Sequence, residues 1–335
     1  MIKDKTLLKE IKKRKKNIFG SPYNFWETLK WVIKTYRGLS KKYEGIVEYI
    51  PSEYNLHDIK KKKYKIAFIG DIMDRHGFKL SIGKNLIKFT EGCDYLVGNF
   101  EATITDKKGI FKSQNHTPEI MDILSHLFDP NRTILSVANN HAGDFGENIF
   151  LDSIKKLKTR GFNVFGYKDK SCFDIDKKIR IITGTEWSNL ECNYVPDINT
   201  VNDNYDPKKL NILYPHWGYE LELYPRPEMV EKAEKWSKNF DVILGHHSHT
   251  PQPVTVSNKY GKQNLIGYSL GLFNSGRLEE EKHYGIIIKL EIGPNNIDEL
   301  KIGKCHWSMI HCNQINSDEF RVDLCKRYPF LKQFS

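Results

Sequence analysis

Apolar residues in this chain fall into short runs, and each run ends in a polar side chain. Residues 65–70 form one such run and stop at Asp71. Residues 95–98 stop at Asn99-Phe100-Glu101, and residues 133–138 at Asn139-Asn140-His141. Residues 211–214 stop at Pro215-His216, and residues 242–244 at Gly245-His246-His247-Ser248-His249. Runs this short and this largely apolar predict buried strands. Between them, residues 78–89, 117–128, 147–160 and 227–239 carry apolar positions at helical spacing. Pro118 sits where a first helical turn accepts it, and Gly161 where a helix stops. Strand and helix alternate, which predicts an α/β sheet. After residue 250 the helical spacing ceases. Residues 254–257, 264–269, 284–292 and 300–310 read as successive strands. They are expected to form a second sheet packed on the first within one domain. Residues 190–210 are polar and read as an irregular insertion, and residues 311–335 as a C-terminal tail.

Charge changes the picture at the N-terminus. Residues 1–63 hold 17 basic and 7 acidic residues, which is the chain's whole net charge of +10. The rest has 35 of each and is neutral. Three segments follow: a basic extension (1–63), a main domain (64–310) and the tail (311–335). Lys12-Lys13-Arg14-Lys15-Lys16 reads either as a solvated tail or as an attraction to an anionic surface. Residues 25–37 set Phe25, Leu29, Val32, Ile33 and Tyr36 on one helical face and Lys30, Lys34 and Arg37 on another. Such a helix either packs on its own domain or lies in a membrane interface. The start of the chain leads into charge, not into a signal peptide's apolar core. No run reaches the roughly 20 apolar residues needed to span a bilayer. The expected location is cytoplasmic, with residues 1–63 holding the protein peripherally on an anionic membrane face. Six cysteines are scattered without a CxxC pair, which does not resemble a disulfide scaffold or a zinc ribbon and favours reduced thiols.

The candidate chemistry sits at the strand ends. The trio His246, His247 and His249 lies within four positions, in a chain with twelve histidines. Neutral imidazole is a common metal ligand. Ligands in open α/β sheets collect beyond the carboxyl ends of strands. Asp71, Glu101, Asn140, His216, His247 and His249 all occupy such positions. Each has an ordinary alternative taken alone: Asp71 as a helix cap, Asn140 in a turn, His141 or His216 as core histidines. Together they point to a metal centre. Carboxylate, amide and imidazole donors suit Mn, Fe, Zn or Mg.

The series Phe68-Ile69-Gly70-Asp71-Ile72-Met73, Gly98-Asn99-Phe100-Glu101 and Val137-Ala138-Asn139-Asn140-His141 with Asp144 resembles the CapA/PgsA family. So do His216-Trp217-Gly218-Tyr219-Glu220, Gly245-His246-His247-Ser248-His249 and Tyr268-Ser269-Leu270-Gly271-Leu272-Phe273. That family is associated with bacterial capsule and poly-γ-glutamate synthesis and is a branch of the calcineurin-like metallophosphoesterases. The resemblance implies a two-sheet sandwich flanked by helices. It also implies one or two divalent ions. Asp71, Glu101 and His249 would hold the first. Glu101 would bridge to a second, completed by Asn140, His216 and His247. His141 would be the general acid. Asp74, Arg75, His76, Glu220 and His246 would line the substrate site. Met73 stands where typical metallophosphoesterases carry a histidine ligand, and Ser248, Phe100 and Leu272 also depart from the branch's pattern.

The implied function is a metal-dependent hydrolase linked to capsule or poly-γ-glutamate biosynthesis. Metal-bound hydroxide would attack a phosphoester or a polyglutamate amide, so the expected partner is an anionic polymer or phosphoester. The alternative is a non-catalytic capsule-assembly component that binds metal or polymer. A nucleic-acid binder is disfavoured, because the main domain is neutral and carries no nucleic-acid motif.

Overall fold

The computed structural model describes residues 21–107, 109, 113–277 and 279–334. The run Lys12–Lys16 therefore lies outside the described residues. In chain order the elements begin with α1 (Phe25–Arg37), β1 (Glu53–Asn55), β2 (Tyr64–Ile72), β3 (Lys79–Ile82), α2 (Lys84–Thr90) and β4 (Tyr95–Phe100). They continue with β5 (Thr103–Ile104), β6 (Asn115–His116), α3 (Ile120–Leu127), β7 (Thr133–Ser136), α4 (Glu147–Thr159) and β8 (Asn163–Phe165). Next come β9 (Cys172–Ile175), β10 (Ile179–Ile182), β11 (Leu210–Leu213), α5 (Pro227–Trp236), β12 (Val242–Leu244), β13 (Val254–Ser257) and β14 (Asn264–Gly267). The chain closes with β15 (Leu272–Asn274), β16 (Tyr284–Pro294), β17 (Leu300–Asn316) and β18 (Glu319–Cys325).

Two large sheets result. The first has the order β3-β18-β17-β16-β2-β4-β7-β8, with β1 added on β17 and β15 on β2. The second runs β13-β14-β12-β11-β10-β9. Period-two alternation sorts the side chains. From β2, Ile66 and Phe68 face the second sheet's Ile181, Ile212, Val242 and Leu265. Ala67 and Ile69 face the other way, onto α2, α3 and α4 through Leu86, Leu124 and Leu157. The outer side of the second sheet is covered by Met229, Ala233 and Trp236 of α5. The outcome is the expected α/β sandwich, two sheets packed face to face with helices outside. A strand buried on both faces reads as a continuous apolar run, which is why β2, β4, β11 and β12 were visible in sequence.

The division between the sheets differs from the expectation. The second sheet begins at β9, not after residue 250. Its β14 pairs parallel with β12, Leu265 opposite Val242, whereas β15 to β18 return to the first sheet. Residues 78–89 hold a strand and a helix, not one helix. Gly83 separates them, and a Cβ there would collide with the Asp323 carboxyl group. The segment set apart as a C-terminal tail supplies the end of β17 and all of β18, where Phe320 and Val322 alternate into the core. Within the extension, β1 pairs with β17 and α1 packs on the main domain.

Candidate metal centre

The carboxyl ends of strands from both sheets meet at one edge. The ends of β2 and β4 deliver Asp71 and Glu101 from the first sheet, and the turn after β7 delivers Asn140 and His141. From the second sheet, the segment after β11 delivers His216 and the loop after β12 delivers His247 and His249. The local backbone is built for close approach. A Cβ on Gly245 would meet the Trp217 indole nitrogen and the Tyr268 carbonyl, so only glycine lets the histidine loop leave β12 there. His247 and His249 themselves sit at φ 101° and 57°. Left-handed conformations in non-glycine residues cost free energy and collect at functional sites. The His247 loop is tied to the first sheet by its N–H, which donates to Asp71 Oδ2 at 2.9 Å.

All six predicted ligands converge and are buried. His249 Nε2 lies 3.3 Å and His216 Nε2 3.6 Å from Glu101 Oε1. His216 Nε2 is 2.7 Å from Asn140 Oδ1. Three triads have ligand atoms within 4.8 Å of one another: Asp71-Glu101-His249, Glu101-His216-His247 and Asp71-His216-His246. Burial and surrounding histidines hold His216 well below the usual imidazole range. Burial alone is the largest cause that takes His247 down to about 3. Burial also pushes Glu101 well up, reinforced by the charge of Asp71. For Asp71 burial opposes ionisation, but the hydrogen bond from His246 and that of the Asn99 amide hold it below the ordinary carboxylate range. His216, His247 and His249, all held toward the neutral form, thus lie against two buried carboxyl groups, and among the described residues the three triads contain only Asp, Glu and His. His247 Nδ1 and His246 Nε2 are buried without a hydrogen-bond partner. Buried polar atoms rarely go unpaired, and this donor set fits a divalent cation.

His141 stands beside the cluster. Its Nε2 is 3.9 Å from Glu101 Oε1, and its Nδ1 is 2.6 Å from Asp144 Oδ2. The Nδ1–H donates to that carboxylate, which leaves Nε2 toward a cavity of about 410 Å³. Met73, Asn140, His141, Glu220 and His249 line this cavity, and Arg277 contributes to its wall.

Of the five residues expected to line a substrate site, Glu220 lines this cavity and the other four do not. Arg75 turns away, its guanidinium bound to Thr117 Oγ1 at 2.6 Å and Glu119 at 2.8 Å. Asp74 and His76 pair with each other at 3.3 Å. His246 is fully buried beneath the cluster, with Nδ1 3.1 Å from Asp71 Oδ1 and 2.8 Å from His216 Nδ1. It thus places a nitrogen next to Asp71, where Met73 offers none.

Sequence reasoning missed the N-terminal contribution. The Tyr23 hydroxyl lies 2.8 Å from His247 Nε2 and accepts from the Glu220 N–H at 3.0 Å. Trp31 Nε1 donates to Glu220 Oε2 at 2.8 Å. No sequence signal marks Tyr23, because its partners lie some two hundred residues away. Asn99, next but one to Glu101 at the same strand end, was readable in principle.

The chain matches the family described as "Bacterial capsule synthesis protein PGA_cap" over residues 65–187 and 183–276. It is 26% identical over 250 residues to the Bacillus anthracis "Capsule biosynthesis protein CapA", covering 63% of this chain and 60% of that one. To the Bacillus subtilis "PGA biosynthesis protein CapA" it is 26% identical over 243 residues, covering 62% of each. It therefore spans about 60% of the length of these relatives. Solved structures of partial likeness include a putative 5'-nucleotidase from Staphylococcus aureus, with TM-score 0.44 and 12% identity over 72% of this chain and 54% of that one. Another is the calcineurin-like phosphoesterase YfkN from Bacillus subtilis, with TM-score 0.40 and 13% identity over 73% and 90%. The family match covers more than half of the 335 residues, so the chain belongs to the bacterial capsule synthesis family PGA_cap.

Proposed function

We infer that the strand-end cluster holds one or two divalent ions and that the chain is a hydrolase of capsule-polymer chemistry. Its bond is a phosphoester or the amide of a polyglutamate-like polymer. The observation that carries this reading is the juxtaposition of the buried Asp71, Glu101 and histidine cluster with an oriented His141–Asp144 pair at the floor of a cavity. Asp71, Glu101 and His249 would hold one ion. Asn140, His216 and His247 would complete a second site with Glu101 shared. His246 stands as a further nitrogen donor beside Asp71. A divalent ion so held supplies Lewis acidity, polarising the bond under attack and lowering the pKa of water.

The chain's own residues do the rest. Asp144 fixes the proton on His141 Nδ1, so Nε2 is the atom that carries or delivers a proton at the leaving group. Arg277 gives the cavity wall a cation for an anionic substrate. Glu220, lowered by His249 and His247 against the effect of burial, stays ionised near the mouth. The test is Mn²⁺-loaded protein on an aryl phosphodiester and, separately, on a γ-glutamyl oligomer. Turnover of either, abolished by Glu101→Gln, supports the hydrolase. Met73, a cavity-lining thioether where a ligand is usual, favours the second reading of a metal- or polymer-binding assembly component. That reading predicts oligomer binding with no turnover of either substrate.

A further inference from the structure

Helix α1 packs on the domain, but not through its apolar face. Its polar edge faces the domain. Thr28 is buried, Trp31 Nε1 reaches Glu220, and Lys34 Nζ pairs with Glu222 Oε1 at 2.9 Å. Glu27 Oε2 takes Arg226 at 2.7 Å. Most of the apolar residues face outward instead, while Val32 turns to the cavity. Phe25 is 61% exposed, Trp26 69%, Leu29 45%, Ile33 43% and Tyr36 86%. At helical spacing these five occupy a single arc of about 100°. The other large apolar side chains found exposed, Leu151, Tyr260, Ile297 and Ile315, come one each from four separate segments.

We propose that this outer face of α1 binds the surface of an anionic lipid bilayer. The chemistry of the face selects that occupant. Phe25 and Trp26 form its two edges, with Tyr36, Leu29 and Ile33 between them. This is the composition of a helix lying in the headgroup layer. One border is cationic: Lys30, which also reaches Glu27, and Arg37 lie side by side along one edge of the arc, and Lys41 and Lys42 follow, all exposed. Residues 1–20, directly ahead of it, add eight basic residues against two acidic ones. A protein partner would have to bring matching acidic and apolar groups. An anionic bilayer supplies both at once. Val32, Thr35 and Tyr36 of the same helix also line the cavity. Binding by this face therefore sets the cavity mouth beside the headgroups, where a surface-held anionic substrate is concentrated.

The test uses the full chain and vesicles of phosphatidylcholine alone or mixed with phosphatidylglycerol. Sedimentation should show partition onto the mixed vesicles at low salt, weakened by raised salt and absent on phosphatidylcholine. The triple variant Phe25→Ser, Trp26→Ser, Ile33→Ser should lose about tenfold or more of this partition, with melting temperature and metal content unchanged. Lys30→Gln with Arg37→Gln should flatten the salt dependence. Three results would overturn the proposal. The triple variant partitions like the wild type, so that the basic segment alone binds. The wild type does not partition at low salt. Or the wild type self-associates in solution through this face, and the triple variant does not. Partition is read without turnover, so it succeeds or fails independently of the hydrolase reading.

Discussion

Replacing Tyr23 by Phe removes one oxygen from the floor of the site and little else. The ring stays wedged against Trp187 and Tyr219, with centroids 5.0 and 5.5 Å away. Two contacts are lost: the acceptor for the Glu220 N–H, and the partner of His247 Nε2. The second matters for metal. His247 Nδ1 is the nitrogen left without a partner, so it is the one available to an ion. An imidazole that binds metal through Nδ1 carries its proton on Nε2, and Tyr23 is the group placed to accept it. Loss of such an outer partner typically weakens metal affinity 10- to 100-fold, or about 1.4–2.7 kcal/mol. The stranded Glu220 N–H adds about 1–3 kcal/mol of lost fold stability. The assay is calorimetric titration of chelator-treated protein with Mn²⁺, alongside thermal unfolding. One binding phase should weaken by the stated factor, namely the one to which His247 contributes. Unchanged titrations with a lowered melting temperature would refute the reasoning and leave Tyr23 a purely structural anchor.

Two further outcomes follow from the same geometry. His141→Ala should lower turnover about 10²–10⁴-fold while leaving metal content intact, since Nε2 faces the cavity. Loss of metal in this variant, by elemental analysis, would make His141 a ligand. Metal uptake should release protons. Glu101 is raised above its ordinary 4.5, first by burial and then by Asp71, so without metal it keeps its proton to higher pH than an ordinary carboxyl, and over that window an ion must displace it. Its contribution to the stability of the metal-free fold is complete below 4.5 and is lost as pH rises through the raised value. His247, taken from 6.5 down to about 3 by burial, acts oppositely and costs stability as pH falls below 6.5. Apparent affinity should therefore rise with pH across the Glu101 window. Calorimetry in buffers of different ionisation enthalpy reads the protons, and buffer-independent heats would contradict the assignment.

The candidate ligands were legible because each follows an apolar run on its own strand, and the physics of sheets sends strand ends to one edge. The two-sheet sandwich was legible for the same reason. What escaped was long-range. Nothing local tells β14 to pair with β12 rather than with β16, and β18 looked like a tail until β17 and β3 gave it neighbours. Period-two alternation at Phe320, Val322 and Leu324 was the available signal. For α1 the amphipathic pattern was plain, but its inward face is decided by buried charge pairs with Glu222 and Arg226 that no local pattern contains. Likewise Asp74, Arg75 and His76 follow Asp71 in sequence, yet the chain turns and spends Arg75 on Thr117 and Glu119.

The central claim is that Asp71, Glu101, Asn140, His216, His247 and His249 hold divalent metal. Protein purified without chelator, crystallised and measured for anomalous scattering across the Mn, Fe and Zn edges tests it directly, with elemental analysis of the same sample. The account predicts one or two anomalous peaks within bonding distance of Glu101, His216, His247 and His249, and their loss in Glu101→Gln. A folded protein with no metal at these residues after soaking in Mn²⁺ and Zn²⁺, or with metal bound only elsewhere, would contradict it.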